Sequence, residues 1–178
     1  MTRQNGFRAS LPIALLAVLV GATCGDQPAP TPPDTGPGPG GNLSGAIVRD
    51  GIEYRAEVLI MESFPVQLSG RAFVKNPSAE TRTVTFPDGC VALMRAYEPD
   101  GADPVWDQAQ ETGCTMALVP LELGPGEERE LPTPTASAYE ILAGGLPDGD
   151  YRITVYLRPV DDGEVEIDAG TTDLAIPR

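Results

Sequence analysis

The stretch VQLSGRAFVKNPSAETRTVTF, residues 66–86, decides the predicted fold. Polar and apolar side chains alternate along residues 66–74 and again along residues 81–86, which is the two-residue period of strands with one buried face. Asn76-Pro77-Ser78 separates the two runs, and Pro87-Asp88-Gly89 follows them, both with residues typical of turns. The stretch therefore predicts two strands, with inward-facing side chains at Val66, Leu68, Ala72, Val74, Val84 and Phe86.

Outward from this stretch, short β-rich runs recur about every dozen residues, separated by Gly, Pro and Asp. Residues 52–61 alternate as a strand, although part of this segment would also suit a helix, and residues 138–143 suit one helical turn. The pattern predicts an all-β fold, an immunoglobulin-like antiparallel β-sandwich of about 7–9 strands, in a domain that covers residues 42–178. Further strands are predicted at residues 91–97, 116–119, 127–131, 151–157 and 164–168.

The first 23 residues have the layout of a secretory signal peptide. Arg3 and Arg8 precede the apolar segment LPIALLAVLV, residues 11–20, which is too short to span a bilayer comfortably. The sequence therefore predicts an exported protein.

A single cysteine, Cys24, follows this leader. The preceding residues Val20-Gly21-Ala22-Thr23 resemble the lipobox of bacterial lipoproteins, in which the cysteine thiol receives a diacylglyceryl group and becomes the first residue of the mature chain. The resemblance implies a membrane anchor on Cys24, and hence a location in the cell envelope, on the periplasmic or cell-surface side of a bacterial membrane. The alternative is a plain secretory signal cleaved near Ala22, which would leave Cys24 as a free thiol.

Residues 24–41 are rich in proline and glycine and have little to bury in a core. Proline removes backbone donors and glycine adds backbone entropy, so that such a segment is predicted to be a disordered linker between the lipidated cysteine and the folded domain.

The chain is strongly acidic and has no histidine. Its 26 acidic and 12 basic residues give a net charge of −14, which repels phosphate backbones and makes nucleic acid a poor partner. Without histidine, a Ser-His-Asp relay or a Cys-His pair is excluded, and the sequence predicts a protein that is not an enzyme and has no cofactor. The acidic run at residues 161–168 is predicted to be a turn followed by a solvated strand face, with a calcium loop as the alternative.

Two further cysteines, Cys90 and Cys114, remain once Cys24 is assigned to lipid. In an exported protein the default for such a pair is a disulfide. The alternative is metal ligation, but two thiols at this spacing, in a chain without histidine, cannot complete a zinc shell. The sequence therefore predicts a Cys90–Cys114 disulfide and no metal site.

Four motifs in order, within about residues 67–157, suggest a family. The segment FVKNPSAETRTVTF (73–86) is followed by PVW (104–106), LGPGE (123–127) and LPDGDY (146–151). This order resembles the intracellular proteinase inhibitor, or BsuPI-type, domain family. The resemblance implies an immunoglobulin-like β domain that inhibits a subtilisin-like serine protease.

Two aromatic residues of these motifs carry structural predictions. Trp106 is predicted to be buried beside Cys90 and Cys114, because a large ring near a disulfide is common in sandwich cores. Tyr151 follows a corner at Asp148-Gly149 and is predicted to donate a hydrogen bond back to the backbone, as in a tyrosine corner.

Two functions stay open at this point. The first is a membrane-anchored, extracytoplasmic β-sandwich that acts as a protein-interaction or structural module of the envelope, with an unidentified protein partner. The alternative is a proteinase inhibitor of the BsuPI type, which would present residues 102–113 or residues 131–139 to the cleft of a protease.

Overall fold

The computed structural model describes residues 45–176. The predicted leader, Cys24 and the linker up to residue 41 lie outside the described residues. In the described part of the chain, no helix is long and apolar enough to cross a membrane.

The described residues form eleven strands, one five-residue helix and one short 3-10 helix at Gln108–Gln110. The all-β prediction is therefore confirmed, with more strands than expected because three of them have only two or three residues. The elements are β1 (Ile47–Arg49), β2 (Ile52–Met61), β3 (Gln67–Lys75), β4 (Arg82–Phe86), β5 (Ala92–Tyr97), β6 (Trp106–Asp107), β7 (Val119–Leu123), β8 (Glu128–Pro132), β9 (Ala136–Ser137), α1 (Ala138–Leu142), β10 (Gly149–Leu157) and β11 (Val165–Leu174).

The strands form three antiparallel sheets. One has the order β1-β2-β3-β8, with β9 also paired to β3, and a second has the order β11-β10-β5-β6. A third, two-stranded sheet joins β4 to β7, with Arg82 opposite Leu123 and Phe86 opposite Val119. The two larger sheets pack face to face, because β2 and β3 of the first contact β10, β11 and β5 of the second. The molecule is thus a β-sandwich with a short ribbon beside it.

The core lies between the two larger sheets and follows the alternation seen in the sequence. Every second side chain is buried along β3 and along β2 up to Val58, and Ile52–Met61 is a strand as predicted. Gly70 of β3 marks a close approach of the sheets, because a Cβ atom there would lie 2.7 Å from Cγ2 of Val155 and 3.1 Å from Cγ of Met94. The largest fully buried side chains are Tyr54, Tyr156, Phe86, Leu68, Leu93, Met94, Leu123, Ile141, Leu142, Ile153, Leu157 and Ile167.

Asn76 holds two of the turns together. Its side chain is fully buried, and Nδ2 donates to the backbone oxygens of Leu123 and Gly124 at 3.1 and 3.0 Å, and to that of Glu80 at 2.7 Å. Its Oδ1 accepts from the backbone N–H of Ser78 at 3.0 Å. This residue therefore fixes the β3–β4 turn against the β7–β8 turn, since a buried amide side chain must find partners.

The tyrosine-corner prediction is confirmed: Tyr151 Oη donates to the backbone oxygen of Pro147 at 2.7 Å. The predicted burial of Trp106 is also confirmed, with 8% of the residue exposed. The helical turn forms at Ala138–Leu142 and begins with a capping box, in which Ser137 accepts from the Glu140 backbone N–H at 3.1 Å.

Two predicted strands were misplaced. Residues 116–118 are not a strand, and the strand here is Val119–Leu123, which pairs with β4. The strand predicted at residues 164–168 runs from Val165 to Leu174, across a register shift opposite Ile153 and Thr154. Residues 116–118 instead form a loop in which Met116 and Leu118 are exposed.

Candidate functional site

Two features of the described residues stand out chemically. The first is a cluster of charged, polar and aromatic side chains on β5, β6, β10 and β11 and on the residue before β11, which we call the Arg95 cluster: Arg95, Tyr97, Asp107, Thr154, Tyr156, Glu164 and Glu166. The second is the exposed segment between Cys114 and β7, which we call the 115–118 loop.

Arg95 is the centre of the cluster. Its guanidinium lies 3.8 Å from the centroid of the Tyr156 ring and binds three carboxylates. Nε is 2.9 Å from Asp107, and Nη1 is 2.6 Å from Glu164 and 3.2 Å from Glu166. The Arg95 side chain is only 16% exposed. Neighbouring strands place these groups together, since Arg95 is opposite Asp107 and Tyr156 is opposite Glu166.

Hydrogen bonds hold Glu166 in its ionised form. Burial opposes its charge, but Oε1 accepts from Thr154 Oγ1 at 2.6 Å and from the Tyr97 hydroxyl, and Arg95 lies beside it. Together these donors hold the pKa of Glu166 below its ordinary value. Burial, with Glu166 beside it, raises the pKa of Tyr97.

Hydrogen bonds also hold Asp107 in its ionised form. Burial opposes its charge, but hydrogen bonds from Arg95, from the Ala109 backbone N–H at 2.9 Å and from Tyr156 Oη at 2.7 Å lower the pKa of this carboxyl. Burial and Asp107 raise the pKa of Tyr156, and the bond to Glu164 raises that of Arg95. Asp107 and Glu166 are thus both stabilised in their ionised forms.

The cluster revises the prediction for the acidic run at residues 161–168. Glu164 and Glu166 face Arg95 rather than solvent alone, and Asp162 accepts a hydrogen bond from Tyr54 Oη at 3.0 Å. Asp161 and Asp168 are exposed, as the predicted solvated face requires. Because its carboxylates are bonded to Arg95 and the tyrosines, we interpret the Arg95 cluster as one that stabilises the fold.

The predicted disulfide is present. Cys90 and Cys114 are bonded, with Cα atoms 5.3 Å apart and a sequence separation of 24. Asp88 lies close enough for its carboxylate to share a metal ion with the two sulfur atoms, but the sulfurs are bonded to each other and offer no thiolate. The Asp88 carboxylate instead accepts from the Cys90 backbone N–H at 2.9 Å and from Arg158 Nη2 at 2.9 Å.

The 115–118 loop begins directly after this disulfide. Met116 is 95% exposed and Leu118 is 67% exposed, although large apolar side chains are usually covered in a folded domain. The surrounding segment GCTMALVPL, residues 113–121, contains no charged side chain, in a protein whose net charge is −14. The loop is therefore an uncharged apolar projection on an acidic molecule.

Two backbone hydrogen bonds hold the 115–118 loop. The carbonyl oxygen of Thr115 accepts from the Gly89 N–H at 3.0 Å and from the Ala117 N–H at 2.9 Å, and the second bond closes a γ-turn with Met116 at its centre. A Cβ atom on Gly89 would lie 2.2 Å from Thr115 Oγ1, so that a larger residue at position 89 would displace the Thr115 side chain. After the loop, β7 is paired with β4, so both ends of the loop are held.

The two segments predicted as binding loops are more closely tied to the sheets. In residues 102–113, Trp106 pairs with β5, and buried Gln108 donates from Nε2 to the Pro134 backbone oxygen at 2.8 Å. In residues 131–139, buried Thr133 accepts from the Gly70 N–H at 2.8 Å. Tyr139, at the end of the second segment, is 61% exposed, but Met116 of the 115–118 loop is exposed to 95%. The signal missed in the sequence was the uncharged run that follows Cys114.

No protein-family model matches the chain, and no significant match was found among curated proteins. The resemblance to the BsuPI-type family therefore stays a prediction.

Proposed function

We propose that this protein is a non-enzymatic interaction module of the bacterial cell envelope, exported by its leader and anchored to the membrane through a lipid on Cys24. The observation that carries the interaction function is the 115–118 loop, where a 95% exposed methionine follows a disulfide. Met116 and Leu118 are two residues apart and both exposed, and contiguous exposed apolar surface is typical of contact sites for partners.

The anchor and the contact are tested separately. Detergent-phase partitioning should retain the wild-type protein and lose a Cys24→Ser variant, because the acyl chains account for the attachment. Equal partitioning of both proteins would refute the anchor.

For the contact, a photo-crosslinking amino acid is placed at position 116 of the full chain, in cells. The matched control has the same amino acid at position 64, where Phe64 is 84% exposed on a different loop. We expect a discrete adduct from position 116 and none from position 64. Identical adduct patterns, or none at either position, would refute the interaction function.

A second candidate is a proteinase inhibitor of the BsuPI type, directed at a subtilisin-like serine protease. The specific observation in its favour is that the exposed loop is short and held at both ends, since a segment that is already ordered loses little entropy on binding. Titration of subtilisin with the full-length protein tests it: stoichiometric inhibition is expected, and indifference or simple degradation would exclude it.

A further inference from the structure

We propose that Met116 is a modification site, which hydrogen peroxide oxidises to methionine sulfoxide, and that this oxidation weakens the partner contact of the 115–118 loop. The oxidation itself follows from the exposure of the side chain. Its effect on the contact rests on the interaction function proposed above.

The three methionines of the described residues differ widely in exposure. Met116 is 95% exposed, Met61 is 42% exposed and Met94 is 1% exposed. A peroxide molecule must reach the thioether sulfur, and a side chain in the core is reached only when the domain opens locally. Met116 should therefore be oxidised first, Met61 more slowly and Met94 last.

The contacts of the loop backbone hold Met116 in this exposed position. Cys114 is bonded to Cys90, and the Thr115 carbonyl oxygen accepts from the N–H groups of Gly89 and Ala117, with Met116 between them at the centre of the γ-turn. The oxidant is uncharged, so the net charge of −14 does not repel it. The sulfur atom is therefore open to peroxide in the folded protein.

The reaction needs one molecule of hydrogen peroxide and the thioether of Met116. A lone pair of the sulfur attacks one peroxide oxygen, a sulfur–oxygen bond forms and the oxygen–oxygen bond breaks. The sulfur is oxidised by two electrons, and the leaving hydroxide takes the proton of the transferred oxygen and becomes water. The products are methionine sulfoxide and water.

Oxidation changes the chemistry of the loop tip. The flexible, apolar thioether becomes a polar sulfoxide whose oxygen accepts hydrogen bonds. A partner that covers Met116 and Leu118 would bury this oxygen, and burial of a polar group without a hydrogen bond is unfavourable. We therefore expect a weaker contact and an unchanged domain, because Met116 lies outside the core.

The modification site is tested on the full-length protein in mild detergent, with hydrogen peroxide in excess. Digestion and peptide mass spectrometry at successive times give the oxidation rate of each methionine. Met116 should react more than about tenfold faster than Met94, because the buried residue reacts only after local opening. In urea the two rates should converge. Equal rates in the folded protein, or no oxidation of Met116, would overturn the modification site.

The effect on the contact is tested in cells, with a photo-crosslinking amino acid at position 118, where Leu118 is 67% exposed. A short peroxide treatment before illumination should lower the adduct yield of the protein with Met116 by about fivefold or more, the effect of one buried, unpaired polar group. The matched variant Met116→Leu keeps an apolar side chain that peroxide does not change. Its adduct yield should be the same with and without peroxide.

The outcomes separate the inference from the function on which it rests. An equal loss of adduct with Met116 and with Met116→Leu would overturn the effect of oxidation on the contact, because peroxide would then act elsewhere. An undiminished adduct from protein in which Met116 is oxidised would also overturn it. No adduct in untreated cells would refute the interaction function and this effect together, while the oxidation rates would still decide the modification site.

Discussion

Arg95 is bonded to three carboxylates and stacked on Tyr156, whereas Met116 projects from the domain with 95% of the residue exposed. Both regions are held by specific contacts, but of different kinds. The Arg95 cluster is held by its own side chains, which satisfy one another, while the 115–118 loop is held by its neighbours, Cys90 and Gly89, and leaves its own side chains unused. The comparison teaches that a well-ordered region is a candidate for binding only if its order does not consume the groups that would bind.

The largest expected effect comes from removal of the disulfide that orders the loop. In the chain-entropy model, the Cys90→Ala and Cys114→Ala double variant should lose about 3.5 kcal/mol of unfolding free energy, because the denatured chain is freed from a cross-link across 24 residues. Urea denaturation followed by tryptophan fluorescence measures this, with Trp106 as the single reporter. A reductant should shift the wild-type curve to that of the variant and leave the variant unchanged. Coincident curves for the oxidised wild type and the variant would show that the Cys90–Cys114 disulfide does not stabilise the domain.

The next largest loss of stability is expected from a substitution of Arg95, at the centre of the Arg95 cluster. Arg95→Met should destabilise the domain by about 3 kcal/mol, because Asp107, Glu164 and Glu166 would lose their shared cation and face one another. The same urea titration measures the change. The control is Arg49→Met, because Arg49 is exposed on the short strand β1, and it should change stability by less than about 0.5 kcal/mol. Equal effects of the two substitutions would mean that the cluster contributes no more than an ordinary surface charge.

The pH dependence of the unfolding free energy tests the Arg95 side of this comparison. The folded-state pKa values of Asp107 and Glu166 lie below their ordinary values of 3.8 and 4.5, so folding favours the ionised forms. Their stabilising contribution is therefore present above these ordinary values and is lost as the pH falls through the lower folded-state values. The unfolding free energy of the wild type should fall more steeply over this acidic range than that of Arg95→Met. Parallel curves for the two proteins would show that Arg95 does not hold these carboxylates ionised.

The smallest expected effect is at the loop tip. Met116→Ser should change the unfolding free energy by less than about 0.5 kcal/mol, because the side chain has almost no contacts to lose. Thermal unfolding monitored by circular dichroism measures this. A loss above about 1 kcal/mol would show that Met116 packs against the domain in solution, and the contrast with Arg95 would then fail.

Much of the fold could be predicted because strand patterning is local. Residues 52–58 alternate residue by residue, and the strand that they predict runs from Ile52 to Met61. The Tyr151 hydrogen bond to Pro147 spans four residues and could be predicted from the corner motif. The disulfide could be predicted from the number of cysteines and from the predicted export of the protein, without any geometry.

Other features could not be predicted, because they depend on which segments become neighbours. Residues 116–118 are apolar, as an edge strand would be, but the β4–β7 register starts at Val119 and leaves them outside the ribbon. Glu164 and Glu166 alternate with apolar residues as a solvated face does, and only the pairing of β11, β10, β5 and β6 brings Arg95 to them.

The sequence by itself determined the class of fold, the cross-link and the turn residues, because these follow from periodicity, composition and short-range geometry. The tertiary structure alone decided which apolar side chains stay uncovered and which charges meet. Burial and ion pairing are properties of pairs of segments far apart in the chain, such as Arg95 and Glu164, which are 69 residues apart. For this reason the sequence alone predicts an interaction protein, while the proposal that Met116 is its point of contact required the folded molecule.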